Sequence, residues 1–90
     1  MFFVYILRSL KTGKLYYGYS KNVEARLCWH NAGAERYTKS GIPWALLHAE
    51  SYDTKSEALK RERYLKKLKN PKYVLENIVQ KVNSGGGAAR

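Results

Sequence analysis

The spacing of apolar and polar positions changes several times along this chain, and each change marks an element. FFVYIL (residues 2–7) is an unbroken apolar run rich in aromatic and β-branched side chains, which predicts a buried strand. SLKTGK follows with Gly13 as turn residue, and KLYYGYS reads as a second strand, so the two should form an antiparallel hairpin. Alternation puts Tyr16 and Gly18 on one face of that strand and Tyr17 and Tyr19 on the other. Gly18 inside the strand predicts a bulge or the close approach of another group. From Asn22 the period becomes helical. In NVEARLCWHNAG, at about 100° per residue, Val23, Leu27 and His30 share one arc, with Arg26 on its edge. Ser20 to Asn22 supply N-cap candidates, and Asn31 and Gly33 a stop signal. Residues 33–43 are polar, basic and glycine-containing, and read as a loop.

WALLHAESY is a third strand. Asp53, Thr54 or Ser56 could cap the strongly basic helix KSEALKRERYLKKLK, which Asn70-Pro71 ends. KYVLENIVQKV makes a last helix with Val74, Leu75, Ile78 and Val82 near one face, and NSGGGAAR reads as a flexible end. The order β-β-α-β-α-α implies a small α/β (α+β) domain: three strands, mainly antiparallel, with helices burying their apolar faces against the sheet.

Charge changes the picture most. Seventeen Lys and Arg against seven Asp and Glu give +10 on 90 residues. Such self-repulsion is naturally explained by a polyanionic partner, with nucleic acid first and an anionic membrane surface second. Cys28 is the only cysteine, so no internal disulfide forms. The opening MFFVYIL is too short and too interrupted by tyrosine for a signal peptide. No stretch approaches the roughly 20 apolar residues of a membrane span. The reading is therefore a soluble, cytoplasmic protein.

Candidate chemistry lies in polar groups on apolar faces. Ala58, Leu59, Leu65 and Leu68 define the buried stripe of the basic helix, and Glu62 falls inside it. An ionised carboxylate there needs a cation or a metal. It is either an edge residue paired with Lys66 or Arg63, or a metal ligand. Arg26 and His30, four apart, adjoin on the first helix. Arg26 is a phosphate contact or a surface charge with a buried stem; His30 is a structural hydrogen-bonding residue or a catalyst. No CxxC pair, phosphate-binding glycine loop, G-x-S-x-G or HExxH occurs. Phosphodiester hydrolysis needs less: a base, a metal ligand and a cation for the phosphate. A tyrosine, a glutamate and an arginine could fill those posts, the tyrosine if its pKa falls from about 10.

Phe3-Val4-Tyr5, then Tyr16-Tyr17-Gly18, then Arg26, then Glu62 resembles a GIY-YIG nuclease domain. Ten residues separate Tyr5 from Tyr16, and Arg26 lies ten after Tyr16. WHNAG and SEALKRERYLKK are similar to small stand-alone members, relatives of the UvrC-like excinuclease domain. The resemblance covers about residues 2 to 80, so a GIY-YIG domain is expected over residues 1–82 ahead of the flexible tail at 83–90, and it implies a mixed fold around a three-stranded antiparallel sheet. It also implies hydrolysis of DNA with one divalent metal, Mg²⁺ or Mn²⁺. Glu62 would hold the metal, Arg26 contact the scissile phosphate, Tyr16 act as general base or position water, and Tyr5 line the site. His30 matches a histidine that some members place there. Phe3 replaces the glycine of the first tripeptide, and Tyr19 stands where some members have lysine. Asn70 and Asn77 are candidates for a late asparagine near the site.

The leading expectation is thus a metal-dependent DNA endonuclease, structure-selective in repair or recombination, with Tyr5, Tyr16, Arg26, His30 and Glu62 at its site. Arg26, Lys39, Arg61 and Lys66 would contact nucleic acid, DNA first and RNA as the other option. A protein partner could supply specificity. The alternative is a nucleic-acid-binding module with weak or no catalysis, using the Lys60–Lys69 helix, the basic 35–40 loop and exposed tyrosines. A membrane-surface role fits less well, because the apolar stripe of the basic helix is needed for the core.

Overall fold

A computed structural model describes residues 1–79. The apolar run at the start becomes β1 (Phe2–Ser9), which pairs antiparallel with β2 (Leu15–Ser20). Helix α1 (Val23–Asn31) follows, then a short 3₁₀ turn (Lys39–Gly41) and strand β3 (Trp44–Tyr52). Helix α2 spans Lys55–Leu68, and α3 (Pro71–Val74) runs into a π-helical segment, Leu75–Val79. The observed order is the predicted β-β-α-β-α-α, and the sheet is antiparallel throughout, in the order β2-β1-β3. Val82 and the predicted tail at 83–90 lie outside the described residues.

The central strand explains its own sequence. A strand covered on both faces has no polar face to show, so FVYIL does not alternate. Val4 and Ile6 point to one layer, where Ala58 and Leu65 of α2 and Val74 and Ile78 beyond it complete the main core. Tyr5 and Leu7 point to the other, with Trp44, Tyr16, and Val23 and Leu27 of α1. Strand β2 divides the same way: Leu15, Tyr17 and Tyr19 pack on the α2 side and Tyr16 on the α1 side. In β3 the register shifts between the partners of Ile6 and Leu7, leaving Leu47 as the extra residue of a bulge.

Local capping follows sequence chemistry. Asn22 accepts from the Ala25 amide at the start of α1. Thr54, one of three candidates, caps α2 through a reciprocal capping box with Glu57. Lys69 ends α2 in the left-handed conformation, with φ 47°. Asn70 then caps α3 by accepting from the Tyr73 amide, with Pro71 at the first helical position, where no N–H is needed. Among the described residues no helix is long and apolar enough to cross a membrane.

A polar clamp ties α2 to β3. Glu50 accepts from Tyr52 Oη at 2.6 Å and from Arg61 Nε and Nη2 at 2.9 and 3.0 Å, and lies 2.8 Å from His48 Nε2. Burial alone would raise the Glu50 pKa. The hydrogen bonds from His48, Arg61 and Tyr52 outweigh it and hold the carboxyl at about 2 against an ordinary 4.5. A depressed carboxyl pKa contributes stability that is present above its unfolded value and lost as pH falls through the folded one. Glu50→Gln should therefore cost about 2–3 kcal/mol at neutral pH. The gap from wild type should close as pH falls from 4.5 toward 2. Urea denaturation of both proteins across that range is the check, and a gap independent of pH would contradict the clamp.

Candidate active site

The site begins with a steric vacancy. Tyr5 and Gly18 are cross-strand partners, and the Tyr5 ring lies across the position where residue 18 would carry a Cβ. Such a Cβ would stand 2.5 Å from Tyr5 Oη and 2.6 Å from Cζ. The close approach predicted at Gly18 is thus made by a side chain of the neighbouring strand, with no bulge between β1 and β2. The vacancy lets a tyrosine that is only 2% exposed aim its hydroxyl toward α1.

There Tyr5 Oη lies 3.1 Å from His30 Nε2. His30 is fully buried, and its Nδ1 lies 2.8 Å from Thr38 Oγ1. The Tyr16 ring packs edge-on to His30 at 4.8 Å between centroids, and lies 6.5 Å from Tyr5 and 6.2 Å from Tyr37. Arg26, one turn before His30, stacks its guanidinium 4.3 Å above the Trp29 ring and sits close enough to Tyr5 to stabilise its ionised form. Four of the five predicted site residues therefore converge on the α1 side of the sheet.

The fifth arrives from the other layer. Glu62 is on α2, and its side chain is 13% exposed, with Lys66 Nζ 3.5 Å away. Of the two cation partners expected, Lys66 is the one found. Even so, the Glu62 charge is felt by both Tyr5 and Tyr16. Among the described residues Glu62 accepts no hydrogen bond, so a mostly buried carboxylate is held only by a loose ion pair. That is a donor able to take a hard cation. Among the described residues no three His, Cys, Asp or Glu side chains gather, but Mg²⁺ commonly needs just one or two carboxylates beside water and phosphate oxygens.

The phenols are held protonated. Burial pushes Tyr5 to about 12, with Tyr16 and Glu62 adding to the rise and Arg26 opposing it. Tyr16 is raised by burial first, then by Glu35, Glu62 and Tyr37, again against Arg26. The fall in tyrosine pKa that a base would need is not found at Tyr16: Arg26 lowers it, but burial and two carboxylates outweigh that effect. Burial and Arg26 lower His30, against Glu35, so its ring is neutral at neutral pH.

Tyr16 also lines an open cleft of about 630 Å³ with Lys14, Glu35, Tyr37, Lys66 and Lys69. Of the predicted nucleic-acid contacts, Lys66 lines this cleft and Arg26 stands beside Tyr5. Lys39 opens the 3₁₀ turn outside the cleft lining. Arg61 is turned to Glu50 in the clamp, which takes its guanidinium away from the cleft. The candidate asparagines are also occupied: Asn70 caps α3, and Asn77 donates to the Tyr73 carbonyl.

Sequence reasoning missed the loop. Residues 33–43 are pinned rather than loose: Trp44 Nε1 donates to the Thr38 carbonyl at 2.8 Å, and Ser9 Oγ donates to the Gly41 carbonyl at 2.6 Å. Asn31 bonds both the N–H and the carbonyl of Trp44. Thr38, Glu35 and Tyr37 reach the site from this loop, where no periodicity exists to mark them. The cost of leaving a buried tryptophan N–H unpartnered was the one available hint.

A three-stranded antiparallel sheet, with two phenols, an imidazole and a guanidinium on one face and a carboxylate from the opposite helix, defines a small α+β domain. Residues 1–74 match the model of the GIY-YIG catalytic domain, and the chain belongs to the GIY-YIG family, a family of nucleases. It is similar to the UPF0213 protein SSP2268 of Staphylococcus saprophyticus, 45% identical over 71 residues, which cover 78% of this chain and 85% of the relative. The UPF0213 protein SERP0126 of Staphylococcus epidermidis is 51% identical over 65 residues, 71% of this chain and 78% of the relative. The solution structure of the UPF0213 protein BH0048 from Bacillus halodurans superposes with a TM-score of 0.53 at 32% identity. The match covers 97% of this chain and 88% of that one.

The Tyr5–Gly18 contact makes a direct test. Gly18→Ala should destabilise the fold by about 1–3 kcal/mol, because the added methyl meets a buried, hydrogen-bonded ring with no room to retreat. Chemical denaturation reads this, and unchanged stability would mean that Tyr5 does not cover position 18.

Proposed function

We propose that this chain is a metal-dependent endonuclease that hydrolyses DNA phosphodiester bonds, selecting substrates by shape, with repair or recombination as its setting. The observation that carries this reading is the convergence of Tyr5, Tyr16, Arg26 and His30 on one sheet face with the Glu62 charge in reach, in a chain of net charge +10. Glu62 would hold Mg²⁺ or Mn²⁺, and the ion would supply charge neutralisation during phosphodiester cleavage. Arg26, braced on Trp29, would bind the scissile phosphate and stabilise its developing charge. Tyr16 would take the proton of, or orient, the attacking water, and Tyr5 with His30 would fix the wall behind it. Lys66, loosely paired, would be free to exchange Glu62 for a substrate phosphate. A ninety-residue chain offers little surface for reading sequence, so a protein partner would supply further specificity. The proposed location is the cytoplasm.

One observation favours a second reading, a nucleic-acid-binding module with little turnover. The Tyr16 phenol has its pKa raised, which makes it a poor base as it stands. Tyr37, 78% exposed beside the basic cleft, would suit stacking on a base of DNA or RNA.

Mg²⁺-dependent nicking of branched, single-stranded and duplex DNA separates the two. Glu62→Ala should lower cleavage by roughly 100-fold or more, and Tyr16→Phe by about 100-fold, both with the fold intact. Salt-sensitive binding without metal-dependent turnover would support the second reading. Cleavage that survives Glu62→Ala would remove Glu62 from the metal. The pH dependence gives an independent check. Glu35 raises the Tyr16 pKa, so Glu35→Gln lowers it. If Tyr16 works as the ionised base, the rising limb of the pH–rate profile moves to lower pH in Glu35→Gln, and a limb that stays or moves upward contradicts that role.

A further inference from the structure

We infer that Thr38 is a positioning residue: its hydroxyl holds His30 in the Nδ1–H tautomer, and so turns the Tyr5 hydroxyl proton inward and leaves the Tyr5 lone pairs for Arg26. The assignment follows from counting protons along a buried chain of contacts. Thr38 Oγ1 has one proton and donates it to the Glu35 carbonyl, 3.3 Å away, which can only accept. The 2.8 Å contact between Thr38 Oγ1 and His30 Nδ1 is then a hydrogen bond only if Nδ1 donates. A neutral imidazole carries one N–H, so Nε2 is bare and accepts from Tyr5 Oη at 3.1 Å. His30 and Thr38 are fully buried, so water does not compete for either partner.

The hydroxyl is placed by the scaffold. The Thr38 carbonyl is anchored by the Trp44 indole, and Ser9 anchors the Gly41 carbonyl three residues on. Position 41 itself has no room for a Cβ, which would stand 2.6 Å from the Trp44 ring. With its proton committed to His30, the Tyr5 oxygen is left as an acceptor for the nearby Arg26, whose guanidinium can only donate. In the opposite tautomer Nε2–H would occupy a Tyr5 lone pair, and the phenol proton would meet the guanidinium, donor against donor. Thr38 therefore acts on Arg26 through two intermediates. Only the kinetic consequence rests on the nuclease reading.

The experiment is long-range ¹H–¹⁵N NMR of the full chain at neutral pH. The chain has two histidines, and a His48→Gln spectrum identifies the His30 signals. Wild type should show His30 as Nδ1–H, and Thr38→Ser, which keeps the hydroxyl, should show the same. Thr38→Val keeps the shape and removes the acceptor, and should move His30 into the Nε2–H form. Cleavage should fall roughly 10-fold in Thr38→Val and stay within about 2-fold in Thr38→Ser. Wild-type His30 found as Nε2–H would overturn the proposal, as would a folded Thr38→Val that retains Nδ1–H. If Thr38→Val does not fold, the wild-type tautomer and its persistence in Thr38→Ser decide the matter. Absence of cleavage in every variant would count against the nuclease reading, while the tautomer would still decide the role of Thr38.

Discussion

A phenol in the middle of the central strand needs a hydrogen-bond partner, and most of the α1 side of this molecule is arranged to give it one. Tyr5 is 2% exposed, so an unpartnered hydroxyl would cost about 1–3 kcal/mol. Its partner, His30, is 25 residues away on α1. Reaching it requires that position 18 have no side chain, that α1 lie flat on this face, and that the loop after α1 supply something for the far nitrogen of the imidazole. Gly18, the packing of Val23 and Leu27 on the sheet, and Thr38 meet those three requirements. The bond thus links both hairpin strands, α1 and the 33–43 loop.

The scarce acids show the same division of labour. Against seventeen basic residues there are seven acidic ones, and the structure gives several of them distinct work. Glu57 completes the α2 capping box, and Glu50 holds Arg61 in the clamp. Burial first, then Glu35 and Glu62, keeps the Tyr16 phenol protonated, and Glu62 adds to the rise that burial causes at Tyr5. The clamp matters for charge as well as for stability, because it withdraws one arginine from a helix that otherwise presents lysine and arginine to solvent. What remains near the cleft is lysine: Lys14, Lys66 and Lys69, mobile point charges suited to phosphate.

Much of the architecture was legible because it is written in periodicity. The unbroken run in β1, the helical arc of Val23, Leu27 and His30, the stripe around Ala58 and Leu65, and the break at Asn70-Pro71 all correspond to observed elements. Strand parity also separated Tyr16 from Tyr17, which pack on opposite faces. What stayed hidden has a common physical cause. The Tyr5 ring over Gly18, the Thr38–His30 contact and the Glu50–Arg61 pair are side-chain contacts between elements far apart in sequence, and they leave no local period. Arg61 was expected at nucleic acid because its charge is visible in the sequence, whereas its partner on β3 is not. A loop of polar residues looks the same whether it is free or pinned. The pairing of Trp44 with Thr38 and Asn31, and of Ser9 with Gly41, distinguishes the two.

The position of the cleft follows from strand order. A sheet with helices on both faces separates its two layers by about 10 Å on either side, so groups on opposite layers do not meet over a central strand. They can meet only around an edge. β2 is an edge strand, and the cleft sits there: Tyr16 faces the α1 layer, Tyr17 faces the α2 layer, and both line it. From one side the loop brings Glu35 and Tyr37; from the other the end of α2 brings Lys66 and Lys69. An exposed edge is ordinarily a liability, open to pairing with another chain. In this molecule it is where Tyr16, packed on the α1 side, and Lys66, carried by α2, line one cleft, with Glu62 outside the lining. The order β2-β1-β3, with the hairpin at the edge and Tyr5 at the centre, is therefore a condition for the candidate site and more than a background to it.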